Sequence, residues 1–320
     1  MVAIAKREGR RKRRSNPFGF LTIAIAVDSV LVAVLGPWNA QSQSPKVIEN
    51  NLGVRMLVSR QDADPTLRIE LPGYAAADGG FQVIFPEHVT VRAQGKEESR
   101  RLYLWQPGHD GSAPAWSAAG RALQYEMDLE SGIHMLARAT LEEDGVLFHY
   151  EIQNHSDVNY DMVYVPTDPR LTGILHDVRL ERTYVHRAGG FELLGADTPR
   201  RLTMPLREWL PARYLASYTW PVPSRLVEKR ADGITYYNTS EKVDEPMIAT
   251  ISSDGRWVVA SFTQTVGNVW SNPELTCQHV DPTPPLPAHG SAVVEVKMLI
   301  LRGGLNDALL KVRAQRDSLK

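Results

Sequence analysis

Apolar and polar residues alternate along most of the chain in short runs that are separated by turn residues. In the stretches 133–154 and 247–262, two alternating runs flank an Asp-Gly pair, which favours the backbone angles of tight hairpins. Further short apolar runs predict strands at 54–58, 67–71, 81–85, 89–92, 102–105, 123–129, 159–165, 183–186, 234–237 and 292–301. Many short strands without helical spacers predict an all-β fold, a large antiparallel β-sandwich.

Two segments depart from this alternation. Residues 306–319 have a helical period, with Asn306 as the expected N-cap. The apolar face of this predicted helix consists of Leu305, Ala308, Leu309 and Val312. The stretch 193–227 is irregular and rich in Pro, Arg and aromatic residues. We therefore expect a C-terminal helix packed on the sheet and one long loop, of a kind that often carries function in a compact β domain.

The first forty residues differ from the rest in charge and hydropathy. Seven positive residues within 6–14 precede an apolar run at about 18–35. A basic start followed by an apolar run is the order of a secretory signal, and Asp28 inside the run disfavours a permanent membrane span. We predict a signal peptide or membrane anchor at 1–40 and a single exported β-sandwich domain at 41–320. Contact with a membrane is expected only through an uncleaved N-terminal segment.

The composition of the exported part argues against several classes of function. Residues 41–320 hold 29 Lys and Arg against 35 Asp and Glu, a formal net charge of −6, so no nucleic-acid partner is expected. The single cysteine, Cys277, allows no intrachain disulfide, and the fold must depend on its core. The chain has no P-loop, no dinucleotide-binding glycine pattern, no Gly-x-Ser-x-Gly and no His-Glu-x-x-His, and no cofactor is predicted.

Three segments resemble the galactose-mutarotase-like β-sandwich superfamily. Residues 145–157 and 160–166 resemble its central hairpin and the strand after it, and 284–301 resembles its last turn and long strand. The resemblance implies a large supersandwich fold. Mutarotases of this superfamily carry a catalytic histidine on the strand after the hairpin and a glutamate before the closing turn. Here the matching stretches, 162–169 and 261–266, hold neither residue, so the resemblance implies the fold without the mutarotase reaction.

The irregular stretch and the strand before it concentrate aromatic and charged side chains. Trp and Tyr match the apolar face of a sugar ring, while Arg and His donate to hydroxyl or carboxylate groups. This mixture predicts a carbohydrate ligand, including acidic sugars. The predicted binding residues are Arg182, Arg207, Trp209, Arg213, Tyr214, Trp220 and Trp270. The predicted acid or base residues are His186, His279 and Glu208.

An alternative interpretation of the same residues stays open. Large aromatic side chains also anchor long loops to a sandwich. In that case the protein is a non-catalytic secreted β-sandwich that binds or scaffolds another protein. A sugar site requires the predicted residues to converge in one concave pocket, whereas a scaffold would scatter them.

The only cysteine lies in a further candidate cluster. Cys277, His279 and Asp281 would share one face if residues 275–280 were extended. Zinc binds all three ligand types, but a usual site takes three or four ligands from spaced segments, and the sequence shows no second cluster. We therefore predict no metal, and interpret the stretch as a strand and turn at the edge of a pocket. Only His279 is assigned a role.

Overall fold

Strands make up most of the part of the chain that the structure describes. The computed structural model describes residues 47–59, 64–102, 114–195, 212–217, 227–229, 233, 235–238, 242–265 and 268–320. At 212–217, 227–229, 236, 238 and 268 it describes the backbone only. The predicted N-terminal signal or anchor at 1–40 lies outside these residues.

The first fourteen strands are β1 (Val47–Glu49), β2 (Arg55–Val58), β3 (Thr66–Glu70), β4 (Gly80–Ile84), β5 (Val89–Ala93), β6 (Arg100–Leu102), β7 (Ser117–Ala119), β8 (Ala122–Leu129), β9 (Ile133–Glu142), β10 (Gly145–Asn154), β11 (Tyr160–Tyr164), β12 (Asp168–Arg170), β13 (Thr183–Arg187) and β14 (Gly190–Leu193). The others are β15 (Ala212–Ser217), β16 (Val227–Lys229), β17 (Thr235–Asn238), β18 (Met247–Ile251), β19 (Trp257–Phe262), β20 (Asn268–Ser271), β21 (His279–Asp281) and β22 (Ser291–Arg302). The α-helices of the described residues are α1 (Ala76–Gly79) and α2 (Leu305–Gln315).

These strands form four sheets. The largest has the order β14-β13-β18-β19-β22-β10-β9-β8-β7, and the others are β1-β2-β3-β4-β12, β11-β5-β6 and β16-β17-β15-β20-β21. Neighbouring strands are antiparallel, except that β15 and β17 pair in parallel. The predicted all-β, antiparallel fold with a C-terminal helix is therefore confirmed, as are both predicted hairpins, β9–β10 and β18–β19.

Burial along the nine-stranded sheet shows which parts of its faces are covered. In β9, buried and half-buried residues alternate along the whole strand, because one face packs on the core and the other does not. In β19 every residue is buried, as are the last residues of β22 before Arg302. There the second face packs against α2, through a separate apolar cluster that includes Ala308 and Val312. This part of the sheet is therefore apolar on both faces.

Gly145, at the start of β10, is required by close packing as well as by the hairpin. Its φ angle is 150°, which residues with a Cβ rarely adopt. A Cβ atom at this position would also collide with the carbonyl oxygen of Met298 in the neighbouring strand β22. The prediction from Asp-Gly turn geometry was correct, but the stronger constraint comes from a strand distant in sequence.

The predicted helix is confirmed with a different start. Helix α2 has Gly304 as its N-cap, and the Gly304 amide donates to Asp307 Oδ2 at 2.8 Å, so the prediction of Asn306 as the cap is wrong. A carboxylate three residues into the helix satisfies this amide, which the helix itself leaves unpaired. The buried residues of the predicted apolar face are Ala308, Leu309 and Val312.

The irregular stretch is in part regular. Residues Ala212–Ser217 form β15, which pairs with β17 and β20, so the prediction that 193–227 is irregular throughout is wrong. Propensity alone does not show this strand, since its partners lie later in the chain.

Among the described residues, no helix is long and apolar enough to cross a membrane.

Candidate functional site

Strands β12 and β21 bring four ionisable side chains together inside the protein. His279 and Asp281 lie on β21, and Asp168 lies on β12. An isolated antiparallel bridge joins Arg170, also on β12, to Cys277. Asp168 and His279 are each 1% exposed, and Cys277 and Asp281 are each 2% exposed. Asp168, Cys277, His279 and Asp281 are named here the His279 centre.

The side chains of Trp270 and His279 stack on each other beside the Asp281 carboxylate. The Trp270 and His279 rings are stacked, with centroids 3.8 Å apart and planes 2° from parallel, because the two residues lie opposite each other in the β20–β21 pair. Trp270 Nε1 donates to Asp281 Oδ2 at 3.1 Å, and His279 Nδ1 lies 3.4 Å from the same oxygen. The Tyr164 hydroxyl also donates to Asp281 Oδ2, at 2.8 Å. Asp281 therefore orients both rings.

Asp168 lies on the other side of the histidine. Its Oδ1 atom is 3.4 Å from His279 Nε2, while its Oδ2 atom accepts from Arg170 Nε at 2.6 Å. In the described part of the chain, Asp168 Oδ1 and His279 Nδ1 are buried and make no hydrogen bond. Cys277 Sγ accepts from the backbone amide of Asn272 at 3.1 Å. Buried polar atoms normally have partners, so the two unpaired atoms require an explanation.

The charges of the centre oppose the effect of its burial. Burial by itself would lower the pKa of His279, but its neighbours, Cys277 and the Asp281 and Asp168 carboxylates among them, hold it well above its usual value. Burial would raise the pKa of Asp168, but His279 and the Arg170 guanidinium lower it overall. Burial and the neighbouring Asp281 carboxylate raise the pKa of the Tyr164 hydroxyl, which stays protonated. The centre is thus a cationic imidazole between carboxylates.

Five half-buried side chains surround the centre and are named here the rim: Glu87, His88, Tyr164, Arg170 and Trp270. Tyr164, Arg170 and Trp270 contact the centre directly, whereas Glu87 and His88 contact Arg170 and Tyr164. Arg170 Nη2 is 3.8 Å from Glu87 Oε1, and the His88 ring meets the Tyr164 ring edge-on at 5.3 Å. Burial and the charge of Asp168 raise the pKa of Glu87. Burial and the nearby Arg101 lower the pKa of His88 to about 4, so its imidazole is neutral.

The structure brings together two of the predicted site residues, His279 and Trp270, and gives two others, Arg182 and His186, different hydrogen-bond or ion-pair partners. The Arg182 guanidinium donates to the backbone carbonyls of Ile251 at 2.7 Å and Ile174 at 3.3 Å. His186 Nδ1 lies 2.6 Å from Asp244 Oδ1. Among the hydrogen bonds and ion pairs of the described residues, neither side chain contacts the His279 centre. Arg182 joins the end of β18 to the segment around Ile174, and His186 pairs with Asp244.

The remaining predicted residues are not tested by the structure. Arg207, Glu208, Trp209 and Trp220 lie outside the described residues, and only the backbone of Arg213 and Tyr214 is described, in β15. Strand β15 pairs with β20, the strand of Trp270, and Leu215 lies opposite Trp270. Their sugar-binding roles stay predictions, as does a sugar-sized hollow over His279.

The sequence analysis missed the residues that complete the site. Asp168 and Arg170 follow β11 in the segment Pro166–Arg170, and Glu87 and His88 follow β4. Polar residues directly after an apolar strand were the only available signal. The condition under which Cys277, His279 and Asp281 would share one face is not met over the whole of 275–280. The strand begins only at His279, and Thr276 is in a turn with a φ angle of 47°. Cys277 and His279 nevertheless approach each other.

A separate surface cavity has a largely neutral lining. Its volume is about 310 Å³, and its lining residues are Thr263, Gln264, Thr265, Pro282, Thr283, Pro284, Val293 and Lys320. Thr263 and Gln264 come from the stretch where the resemblance would place a glutamate. The described lining thus has no carboxylate side chain, in agreement with the departure seen in the sequence.

Comparison with known proteins gives structural neighbours of low sequence identity. No protein-family model matches the chain. No curated protein is significantly similar to it in sequence. The Slr1438 protein of Synechocystis sp. PCC 6803 is similar over 81% of this chain and 96% of its own, with 10% identity and a TM-score of 0.44.

The names of two further structural neighbours refer to sugars. A galactose mutarotase-like protein of Clostridium acetobutylicum matches 79% of this chain and 94% of its own, with 9% identity and a TM-score of 0.43. The α-N-acetylgalactosaminidase NagBb of Bifidobacterium bifidum matches 84% of this chain but 38% of its own, with 11% identity and a TM-score of 0.45. The neighbours thus include the superfamily that the sequence resembles, and at this similarity they assign no residue of this chain a role.

Proposed function

We propose that the protein is an exported carbohydrate-binding or carbohydrate-active protein, and that its sugar site is the rim over the His279 centre. One observation carries the proposal: two aromatic rings, an imidazole, a guanidinium and a carboxylate, all half-buried, adjoin a floor of buried ionisable groups. Aromatic faces suit the C–H side of a sugar, and the polar groups suit its hydroxyls. The rim offers both within one connected network.

Fold stability alone gives a weak reason for this arrangement. Burying charged groups costs several kcal/mol per ion, and a well-packed apolar cluster of the same size is often as stable. Here Asp168, His279 and Asp281 are all at most 2% exposed, and two of their atoms lack a hydrogen bond among the described residues. Clusters of ionisable groups with perturbed pKa values are enriched at functional sites.

Within the rim, Glu87 is the carboxylate best placed to meet a sugar. Its side chain is 32% exposed, whereas His279 is almost completely covered. His279 therefore contributes its charge and orients Trp270, and proton exchange with a ligand falls to Glu87. Arg101, which is exposed and donates to the Glu87 carbonyl at 3.3 Å, supplies a cation for the carboxylate of an acidic sugar.

A binding screen against neutral and uronic-acid glycans tests the proposal. We expect wild type to bind at least one glycan, and Glu87→Gln and Trp270→Ala each to weaken binding by at least ~10-fold, which is 1.4 kcal/mol. The matched control is His134→Gln, which removes a histidine 2.8 Å from Asp128 on the nine-stranded sheet and should bind like wild type. Folding of each variant is checked by circular dichroism.

Two results would contradict the proposal. If wild type binds none of the neutral or acidic glycans, a non-catalytic protein-interaction module becomes the better interpretation. If the folded Glu87→Gln and Trp270→Ala variants bind as tightly as His134→Gln, the sugar site lies elsewhere on the protein. If wild type prefers uronic-acid glycans and Arg101→Gln loses this preference, the result would support specificity for acidic sugars.

A further inference from the structure

We propose that the His279 centre binds one divalent cation of the zinc class, with Asp168, Cys277 and His279 as its protein ligands. The sequence analysis predicted no metal, because it found no second ligand cluster to join Cys277 and His279. The fold supplies that ligand from β12, a strand distant in the chain. This proposal rests on the geometry of the centre and does not depend on the sugar site.

The spacing of the donor atoms fits a tetrahedral ion. The three donor atoms all lie within 4.8 Å of one another. His279 Nε2 and Asp168 Oδ1 are 3.4 Å apart, and zinc bonds of about 2.0–2.2 Å at a tetrahedral angle place a nitrogen and an oxygen ligand about 3.3–3.5 Å apart. This pair is already at the required separation. A thiolate and a nitrogen or oxygen ligand of zinc lie about 3.5–3.7 Å apart, so a pair at the 4.8 Å limit would have to shorten by about 1.2 Å on binding.

The unpaired carboxylate oxygen offers a ligand atom to a metal ion. Asp168 Oδ1 is buried without a hydrogen bond among the described residues, although the other oxygen of the same carboxylate is bound by Arg170. A buried acceptor left unpaired costs free energy that a metal ion would recover. Coordination through His279 Nε2 would leave the proton on Nδ1, which faces Asp281 Oδ2 at 3.4 Å. One ion would thus give Asp168 Oδ1 a partner and would set the His279 tautomer whose N–H faces Asp281.

Each proposed ligand has a second partner that fixes its orientation. Asp281 faces the second nitrogen of His279, Arg170 holds the second oxygen of Asp168, and the Asn272 amide donates to Cys277 Sγ. Metal-binding histidines usually donate their other ring N–H to a carboxylate or carbonyl, and such outer partners are a regular part of metal sites. A set of this kind surrounds all three ligands here.

The ligand types select the ion. A thiolate and an imidazole favour zinc and related transition metals over calcium or magnesium, which prefer oxygen ligands. Thiolate and carboxylate together balance the charge of a divalent ion. Binding would form the S–metal and Nε2–metal bonds, while the thiol proton of Cys277 and the Nε2 proton of the imidazolium leave to solvent. Three protein ligands leave the fourth position for water or another small ligand, as in zinc sites that are open to exchange.

Metal titration of the full-length protein, with any affinity tag removed and the thiol reduced, tests the proposal. After treatment with a chelator, we expect wild type to take up one Zn²⁺ per chain. Cys277→Ser and Asp168→Asn should each weaken binding by more than the ~10–100-fold that is typical for loss of an outer partner. Cobalt(II), used as a spectroscopic probe, should show a thiolate-to-metal charge-transfer band in wild type and none in Cys277→Ser.

The control is again His134→Gln, because His134 and Asp128 form a histidine–carboxylate pair outside the centre, and this variant should bind zinc like wild type. The proposal would be overturned if wild type does not bind one zinc ion. It would also be overturned if Cys277→Ser takes up zinc as well as His134→Gln does. If a variant does not fold, the cobalt spectrum of wild type decides, since a spectrum without the thiolate band excludes Cys277 as a ligand. Zinc uptake without glycan binding would refute the sugar site alone.

Discussion

A single carboxylate in the β9–β10 turn joins three elements, and its removal gives a pH-dependent prediction. Asp144 accepts from Lys311 Nζ at 2.9 Å and from Gln315 Nε2 at 2.7 Å, both on α2. Asp144 Oδ1 also lies 3.0 Å from Lys297 Nζ on β22. Lys297 is 1% exposed, so its ammonium depends on this carboxylate and on Glu142 for charge compensation. We predict that Asp144→Asn destabilises the protein at neutral pH.

The size of the effect follows from the pKa of Asp144. Burial would raise that pKa, but hydrogen bonds and charges from Lys311 and Lys297 lower it from 3.8 to about 2. At 1.36 kcal/mol per pH unit this corresponds to about 2 kcal/mol of stability. We reduce the expectation to about 1–2 kcal/mol, because Lys311 is 45% exposed and solvent screens its charge.

The sign of the pH dependence is fixed by the direction of the shift. Since the folded-state pKa lies below the unfolded value, the stabilisation is fully present above about pH 5 and is lost as the pH falls towards 2. Urea unfolding of wild type and Asp144→Asn between pH 7 and the lowest pH at which both fold measures this. The difference in unfolding free energy should be constant above about pH 5 and shrink below it.

The matched control is Asp317→Asn, which removes an 89% exposed carboxylate 3.6 Å from Arg316. A surface pair of this kind contributes about 0–1 kcal/mol, so the control should stay close to wild type. An Asp144→Asn deficit that does not change with pH would show that the lost stability is not electrostatic. No deficit at pH 7 would refute the compensation of Lys297 by Asp144.

Two further predictions concern close packing and the site. Gly145→Ala should destabilise the protein by at least about 2 kcal/mol, because its Cβ would meet the Met298 carbonyl. Gly255→Ala, at a φ angle of 70° in open space, should cost about 1 kcal/mol. Equal losses of unfolding free energy in urea for the two variants would contradict this reasoning. Tyr164→Phe should cost about 1–3 kcal/mol, because Asp281 loses a buried donor, and thermal unfolding indistinguishable from wild type would show that this hydrogen bond is not needed.

Elements that depend on short-range sequence patterns could be predicted from the sequence. The hairpin around 143–145 and the helix face at Ala308 and Val312 follow from side-chain period and turn chemistry, which depend on residues only a few positions apart. The strand 212–217 was missed, because its partners lie later in the chain and its own composition resembles a loop. Strand formation there depends on pairing, not on intrinsic preference.

Which ionisable groups meet depends on the tertiary fold and could not be predicted from the sequence. His279 was identified from a short polar stretch, but Asp168 reaches it from β12, and no spacing in the sequence joins the two. The fold also gives the Arg182 guanidinium backbone carbonyl partners that the sequence did not predict. Periodicity records which face of a strand is buried, whereas contact between distant strands depends on sheet order and packing, which no local pattern encodes.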